Sequence, residues 1–181
     1  MKKIIIFLFF LFCCNTVYAN TKVISALQEG GKLIFIRHAY AQGAGDPDNF
    51  DIRDCSTQRN LDITGVEQAK RLGQIFIDNK IPIDQVLSSE WCRCKDTALS
   101  AFKDYKTFNA LNSFFSTKFA KNRDKQMQDL KEFVKNWKSN KNLVFVTHYV
   151  VILEALNTTV GSGEITATDR NFNIIGSIET K

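Results

Sequence analysis

Two short runs of apolar residues, 32–37 and 143–147, are continuous rather than alternating with polar positions. Continuous apolar runs of this length are typical of central β-strands that are covered on both faces. Residues 85–88 predict a third, shorter strand. Near the end of the chain, residues 164–168 and 174–178 flank a polar, turn-forming segment, so we expect a hairpin at one edge of the sheet.

Helical periodicity separates these runs. The sequence Thr64-Gly-Val-Glu67 matches a capping box, which predicts a helix from this point to about residue 79. Residues 93–102, 125–138 and 150–156 predict three further helices. The predicted helix over residues 125–138 carries an apolar stripe at helical spacing. We therefore assign the residues of this stripe to the core: Met127, Leu130, Phe133, Val134 and Trp137. Because strands alternate with helices, we expect an α/β fold, a three-layer α/β/α sandwich with a largely parallel central sheet.

Residues 1–19 have the pattern of a secretory signal peptide. Two lysines precede an apolar run over residues 4–14, and Val17 and Ala19 supply small residues for a cleavage site. The run is shorter than the roughly 20 residues that cross a bilayer, so a retained anchor is the weaker interpretation. A lipoprotein signal at Cys14 is weaker still. We expect cleavage after Ala19, a single mature domain over residues 20–181 with no membrane span, and a periplasmic or secreted protein.

Composition fits one globular domain with a substantial core. The chain has 181 residues, of which 44% are hydrophobic and 24% charged, and this excludes a disordered or fibrous protein. Removal of the predicted signal lowers the formal net charge from +5 to +3. The remaining basic residues form no stripe interleaved with aromatic residues, so nucleic acid is not an expected partner. Mild basicity suits a small anionic substrate. Oligomeric state is not readable from the sequence.

The two histidines of the chain each follow a predicted central strand directly. His38 follows Arg37 at the end of the first strand, and His148 follows the strand over residues 143–147. Ligands of open α/β sheets bind beyond the carboxyl ends of the strands. Arg93 follows the third strand at the start of a helix, and it would place a second guanidinium there.

Two arginines and two histidines at one edge predict a pocket for a phosphate-like dianion, since guanidinium groups match phosphate oxygens in pairs. A neutral imidazole in that pocket can attack phosphorus, while the cations stabilise the transferred group. This chemistry requires no metal or cofactor. The sequence also contains no convincing metal-ligand cluster and no glycine-rich phosphate loop.

These residues resemble the sequence motifs of the histidine phosphatase (phosphoglycerate mutase-like) superfamily. The segment Leu33-Ile-Phe-Ile-Arg-His-Ala39 is similar to its arginine–histidine motif. Ser88-Ser-Glu-Trp-Cys-Arg-Cys-Lys-Asp-Thr-Ala98 and Val146-Thr-His-Tyr149 are similar to its second and late motifs. Leu61-Asp-Ile-Thr-Gly65 is similar to the start of its first long helix, and an insertion over residues 43–61 suggests an exported, small subgroup.

The resemblance implies a phosphoglycerate mutase-like fold and a set of catalytic residues. His38 would be the nucleophile that becomes phosphohistidine, and Arg37, Arg93 and His148 would bind the phosphoryl group. Arg59, in the insertion, is a weaker candidate for substrate binding. The implied activity is hydrolysis of a phosphomonoester or a similar phosphorylated small molecule, and a mutase activity is less expected for a short, exported chain.

The sequence departs from the family at the expected general acid. Many members carry a glutamate after the second motif, where this chain has Ser113. Glu90, Asp104 and Asp124 are the nearest other acids, each with an ordinary surface role as the competing interpretation. Loss of an acid reduces rates by about 10²–10⁴-fold on poor leaving groups. A non-catalytic phosphate- or phosphosugar-binding protein on the same fold is therefore the alternative.

Three cysteines remain after the predicted cleavage: Cys55, Cys92 and Cys94. In an oxidising compartment, Cys55 is expected to pair with one of the other two. On a helix, Cys92 and Cys94 point about 200° apart, so only one of them can face Cys55. The sequence does not decide which one.

Overall fold

The computed structural model describes residues 21–180, so the predicted signal peptide and its cleavage site lie outside the described residues. Helices and strands follow one another in this order: α1 (residues 21–29), β1 (Leu33–Arg37), α2 (Ile63–Asp78), β2 (Ile83–Ser88), α3 (Cys92–Phe102), β3 (Lys106–Thr107), α4 (Thr117–Ala120), α5 (Arg123–Asn136), β4 (Asn142–Thr147), α6 (Tyr149–Leu156), β5 (Ile165–Thr168) and β6 (Ile174–Ile178). Two single turns of 3-10 helix lie at Cys55–Thr57 and Asn109–Leu111.

The six strands form one sheet in the order β3-β2-β4-β1-β5-β6. The four strands β3, β2, β4 and β1 run parallel to one another. β5 pairs antiparallel with β1, and β6 completes an antiparallel hairpin at the edge. The expected largely parallel sheet with an edge hairpin is therefore confirmed.

Both faces of the sheet are covered, because alternate residues of the central strands enter two different cores. In β1, Ile34 and Ile36 pack on one face with α1, α2 and α3. Leu33 and Phe35 pack on the other face with α5 and α6. β4 is buried along its whole length. The three-layer α/β/α sandwich expected from the sequence is confirmed.

The start of α2 differs from the expected capping box. Asp62 is the N-cap, and its carboxylate accepts a hydrogen bond of 2.9 Å from the backbone N–H of Gly65. Thr64 consequently lies in the first turn, and Glu67 pairs with Lys70 on the surface rather than closing a box. A carboxylate in the cap position satisfies the free N–H groups of the first turn as well as a threonine does.

Three elements were not expected: α1, α4 and β3. β3 has only two residues and α4 has four, which is too short for a periodic pattern. α5 begins two residues earlier than expected and ends before Trp137, whose backbone is extended. Trp137 is nevertheless buried with Met127, Leu130 and Val134, as the apolar stripe predicts, whereas Phe133 is only partly buried against the same core.

We predict that Gly73→Ala destabilises the protein. Gly73 lies where α2 crosses α3, and an added Cβ would collide with the backbone carbonyl of Ala101. Overpacking of this kind costs roughly 1–3 kcal/mol, which exceeds the gain in helix propensity. Urea unfolding monitored by circular dichroism measures the loss. In Gly161→Ala, the matched control, the new Cβ meets only the Glu164 side chain at 3.6 Å, and stability should change little. Equal effects of the two substitutions would contradict this account.

Candidate active site

The site forms at the carboxyl ends of three neighbouring parallel strands. Backbone hydrogen bonds continue past the strands: His38 N donates to the Thr147 carbonyl at 2.9 Å, and Ser89 N donates to the Val146 carbonyl at 2.9 Å. Since β2, β4 and β1 are adjacent, these bonds bring His38, His148 and the start of α3 to the same edge. The structure therefore brings both histidines and the start of α3 together, as the sequence predicted.

His38 has a defined tautomer. Its ring is 3% exposed, and Nδ1 lies 2.8 Å from the carbonyl oxygen of Ala39. Because a carbonyl oxygen only accepts hydrogen bonds, Nδ1 carries the proton. Nε2 therefore holds a lone pair, which accepts a hydrogen bond of 3.2 Å from Nε of Arg93.

His148 has the opposite tautomer. Its Nδ1 accepts from Nη2 of Arg93 at 3.4 Å, so Nε2 carries the proton and donates to the hydroxyl of Ser89 at 2.9 Å. Ser89 in turn donates to the side-chain oxygen of Asn112 at 3.1 Å. The two imidazole rings lie edge to face with centroids 5.5 Å apart.

Both imidazoles are neutral. Burial is the largest cause that holds the pKa of each histidine well below its usual range, and the positive charge of Arg93 is the second. Arg37 and Arg59 add to the effect. The hydrogen bond from His38 to Ala39 opposes it without reversing it. A neutral ring with one unprotonated nitrogen is the form in which a histidine acts as a nucleophile.

Arg93 is the centre of this network. Its side chain is 4% exposed, and all five of its N–H groups have acceptors. Nε bonds to His38, and the terminal nitrogens bond to His148, to the carbonyl of Arg59 and, at 2.7 and 3.3 Å, to both carboxylate oxygens of Asp46.

Asp46 is the functional-site residue that the sequence did not reveal. It lies in the insertion after β1, and besides Arg93 it accepts hydrogen bonds from Nε1 of Trp91 at 3.0 Å and from the backbone of Arg59 at 3.1 Å. Burial raises the pKa of Asp46, but the hydrogen bond and charge of Arg93 lower it more, so the carboxylate is ionised. The turn-forming residues around Asp46 gave no signal that its side chain contacts Arg93.

Two more guanidinium groups border the site. Arg37 donates to the carbonyl of Val160 at 2.9 Å, while its Nε is buried and has no hydrogen-bond partner among residues 21–180. Arg59 donates to the carbonyls of Ala41 and Gly45. Burial first, and then repulsion from Arg93, lowers the pKa of both arginines. Among the described residues, Arg93 is the one guanidinium of these three that forms an ion pair with a carboxylate, and the positive charge that remains suits a dianion.

A cavity of about 510 Å³ opens over these groups. Its lining residues include both histidines and all three arginines, together with Asp46, Asp48, Ser113, Tyr149 and the aromatic side chains Phe50, Trp91, Phe115 and Phe119. Ser113 is buried in the wall, where its hydroxyl accepts from the backbone of Phe115 at 3.3 Å.

None of the three acids considered from the sequence lines this cavity. Glu90 accepts a hydrogen bond of 2.6 Å from the Asn112 amide and borders a neighbouring groove instead. Asp124 is 87% exposed and pairs with Arg123 in the first turn of α5. Asp104 is exposed beyond the end of α3. Their placement does not suit a general acid, because an acid must reach the leaving group directly or through one water.

A disulfide joins the insertion to α3. Cys55 and Cys92 are bonded across 37 positions, and Gln58 reinforces the contact by accepting from the backbone of Cys92 at 2.9 Å. A bridge closing a loop of this length contributes about 4 kcal/mol in the chain-entropy model. Cys94 is a free, buried thiol whose pKa burial raises to about 12, so it is not a nucleophile.

Comparison with known proteins defines the fold. No protein-family model and no curated protein sequence matches the chain. Among solved structures, it is similar to a phosphoglycerate mutase from Thermus thermophilus, with 16% identity and a TM-score of 0.60 over 83% of this chain and 99% of that one. The chain has the phosphoglycerate mutase-like fold.

Two further neighbours share this architecture. A candidate alpha-ribazole-5'-P phosphatase from Escherichia coli K-12 is 17% identical with a TM-score of 0.59, covering 82% of this chain and 94% of its own. The product of open reading frame Rv3214 from Mycobacterium tuberculosis is 15% identical with a TM-score of 0.57, covering 75% and 89%. The structural neighbours named as enzymes are thus phosphatases or mutases.

Residues 21–180 contain neither a candidate metal site nor a candidate membrane span. This part of the chain has no cluster of three or more His, Cys, Asp or Glu side chains arranged to hold a metal ion. It also has no helix with the length and apolar character needed to cross a membrane.

We predict that stability falls as the pH drops below about 6.5, because the unfolded state takes up protons on His38 and His148 while the folded state keeps both rings neutral. Each histidine contributes a slope of up to about 1.4 kcal/mol per pH unit. Carboxylates with lowered pKa values, such as that of Asp46, reduce the free energy of unfolding only below about pH 4. Urea unfolding at about pH 7 and about pH 5 measures the slope. His148→Gln should halve it, and a flat wild-type profile would show that the rings are not neutral.

Proposed function

We propose that this protein is a phosphatase that hydrolyses a phosphorylated small molecule through a phosphohistidine intermediate on His38. The observation that carries the proposal is the lone pair on His38 Nε2. It faces Arg93 and belongs to a ring that is buried, neutral and held by Ala39. The fold shared with phosphatases and mutases supports the same reaction class.

The first step transfers the phosphoryl group to the protein. The lone pair of His38 Nε2 attacks phosphorus and forms a P–N bond, and the bond to the leaving oxygen breaks on the opposite side. The electron pair of that bond stays on the leaving oxygen, which takes a proton from an acidic group of the cavity. Arg37, Arg59 and Arg93 stabilise the charge on the other phosphoryl oxygens. A bound dianion would raise the pKa of His148, so that its protonated ring donates a further hydrogen bond.

The second step releases phosphate. A water molecule gives a proton to the group that protonated the leaving oxygen and attacks phosphorus, the P–N bond breaks, and its electron pair returns to His38 Nε2. The bond from His38 Nδ1 to the Ala39 carbonyl keeps the ring in one orientation through both steps. The unpartnered Nε–H of Arg37 offers the phosphoryl group a donor that no described residue competes for.

A non-catalytic phosphate-binding protein remains the second candidate. It is favoured by Ser113, a hydroxyl that cannot supply a proton as a carboxylic acid does, at the position where the resemblance implies glutamate. Calorimetric binding of phosphate without turnover of any member of a broad phosphoester panel would establish this alternative. Turnover of any panel member that requires His38 would exclude it.

We predict that His38→Ala abolishes hydrolysis of p-nitrophenyl phosphate and abolishes covalent labelling by a phosphate-labelled substrate. The wild-type adduct should be acid-labile and base-stable. Since the sequence has 2 histidines, peptide mapping needs only to distinguish His38 from His148. His148→Asn serves as the control, because it should slow turnover yet leave the label on His38. Wild-type turnover by His38→Ala, or a label on His148, would refute the mechanism.

We also propose that the protein is exported and works in the periplasm or outside the cell. The signal-like sequence of residues 1–19 supports this location, as does the Cys55–Cys92 disulfide, since such bonds persist in oxidising compartments.

We predict that expression in a Gram-negative host yields a mature protein that begins at Asn20. Intact-mass and N-terminal peptide analysis of the periplasmic fraction measures the cleavage. As a control, Ala19→Arg should block processing by removing the small residue before the cleavage site. A full-length chain confined to the cytoplasm would contradict export.

A further inference from the structure

The proposed reaction needs a proton donor, and the position where the family resemblance implies a glutamate does not supply one. Ser113 stands there, and Glu90, Asp104 and Asp124 lie outside the cavity. Two carboxylates line the cavity, those of Asp46 and Asp48. Asp48 is exposed, whereas the Asp46 side chain is 17% exposed and is bonded to Arg93.

Arg93 places Asp46 beside the reacting atoms. One guanidinium donates through Nε to the nucleophilic lone pair of His38 and through both terminal nitrogens to the carboxylate of Asp46. The nucleophile and the carboxylate therefore lie at two edges of the same planar group. Phosphoryl oxygens bind the paired donors of arginine with the geometry that a carboxylate uses.

A bound phosphoryl group and the Asp46 carboxylate would compete for the N–H groups of Arg93. All five N–H groups are engaged, so a phosphoryl group that binds the terminal nitrogens must replace the Asp46 carboxylate there. The replaced carboxylate stays in the cavity wall, where Trp91 Nε1 and the backbone of Arg59 still donate to it. It then faces a phosphoryl dianion without its cationic partner.

We propose that Asp46 is the catalytic acid: it leaves Arg93 when the phosphoryl group binds, takes up a proton, and donates that proton to the leaving oxygen. This inference rests on the proposed phosphatase function. Burial of Asp46 already favours its protonated form, and loss of Arg93 removes the main opposing interaction.

The proton balance closes over one turnover. A substrate bound as the monoanion, whose second pKa is about 6, passes its proton to the Asp46 carboxylate. Asp46 gives this proton to the leaving oxygen as the P–O bond breaks and His38 is phosphorylated. The carboxylate then accepts a proton from the water that attacks phosphohistidine. Phosphate and this proton leave, and the carboxylate returns to Arg93.

We predict that Asp46→Asn separates substrates by their leaving groups. Hydrolysis of glycerol phosphate, an alkyl ester that needs the acid, should fall about 10²–10⁴-fold in kcat. Hydrolysis of p-nitrophenyl phosphate, whose leaving group needs no proton, should fall less than about tenfold. The KM for both should fall, because the amide no longer competes for Arg93 as an anion. Asp46→Glu should recover part of the alkyl ester activity.

Asp54→Asn is the matched control. It removes the same charge from the same insertion at an exposed position outside the cavity, where asparagine caps the 3-10 turn as aspartate does, so both rates should stay within about twofold of wild type. An equal loss on both esters in Asp46→Asn would show that Asp46 only orients Arg93 and would overturn the proposal. Unchanged glycerol phosphate turnover would overturn it while leaving the phosphatase function intact. A wild-type protein that hydrolyses neither ester and takes no label would overturn both.

Proton uptake on anion binding provides a readout that requires no turnover. Sulfate is a suitable probe because it has no titration of its own near neutral pH. Calorimetry in two buffers of different ionisation enthalpy should show that the wild type binds about one proton more per sulfate than Asp46→Asn does. Equal uptake by the two proteins would show that the proton goes elsewhere, which would overturn the role of Asp46.

Discussion

The buried guanidinium of Arg93 is the interaction on which the site depends. A charged group removed from water is costly unless its hydrogen bonds and its charge are both satisfied. Asp46 supplies the opposite charge, and the two imidazole lone pairs and a backbone carbonyl supply the remaining acceptors. The same contacts set the protonation of the site, because each histidine turns its unprotonated nitrogen toward Arg93.

The insertion after β1 contributes to this network as much as the sheet does. It carries Asp46 and Arg59 into the cavity, and the Cys55–Cys92 disulfide attaches it directly beside Arg93 at the start of α3. Packing of Phe50 against Trp91, with ring centroids 5.0 Å apart, adds a second attachment. The loop is therefore part of the wall of the candidate site.

Charge balance separates anion binding from turnover in this site. Three arginines and Lys118 line the cavity together with two carboxylates, Asp46 and Asp48, so the cavity carries a net positive charge before any substrate binds, and this charge favours a dianion. Turnover requires in addition a neutral nucleophile and a proton source. The first is present in His38, whose ring is kept unprotonated by burial and by the neighbouring cations. The second is the role we assign to Asp46, and it distinguishes a phosphatase from a binding protein on the same fold.

Sequence reasoning was most successful where the signal was local. The continuous apolar runs of β1 and β4 predicted central strands, and residues placed directly after those strands, His38 and His148, were predicted to converge. Polar residues at the ends of parallel strands meet because neighbouring strands end at one edge. The predicted cap of α2 was wrong because Asp62 and Thr64 are both good cap residues, and the local sequence does not choose between them; in the structure Asp62 is the cap.

The sequence by itself determined the fold class, the ends of the central strands, and the histidines and arginines of the candidate site. These follow from the spacing of apolar residues and from the order of the motifs, both of which are local features of the chain. Tertiary structure alone decided that Cys92 rather than Cys94 reaches Cys55, that Glu90 and Asp124 lie outside the cavity, and that Asp46 binds Arg93. The disulfide and the Asp46–Arg93 pair join residues 37 and 47 positions apart, through a loop without periodicity whose course follows its contacts rather than a local pattern.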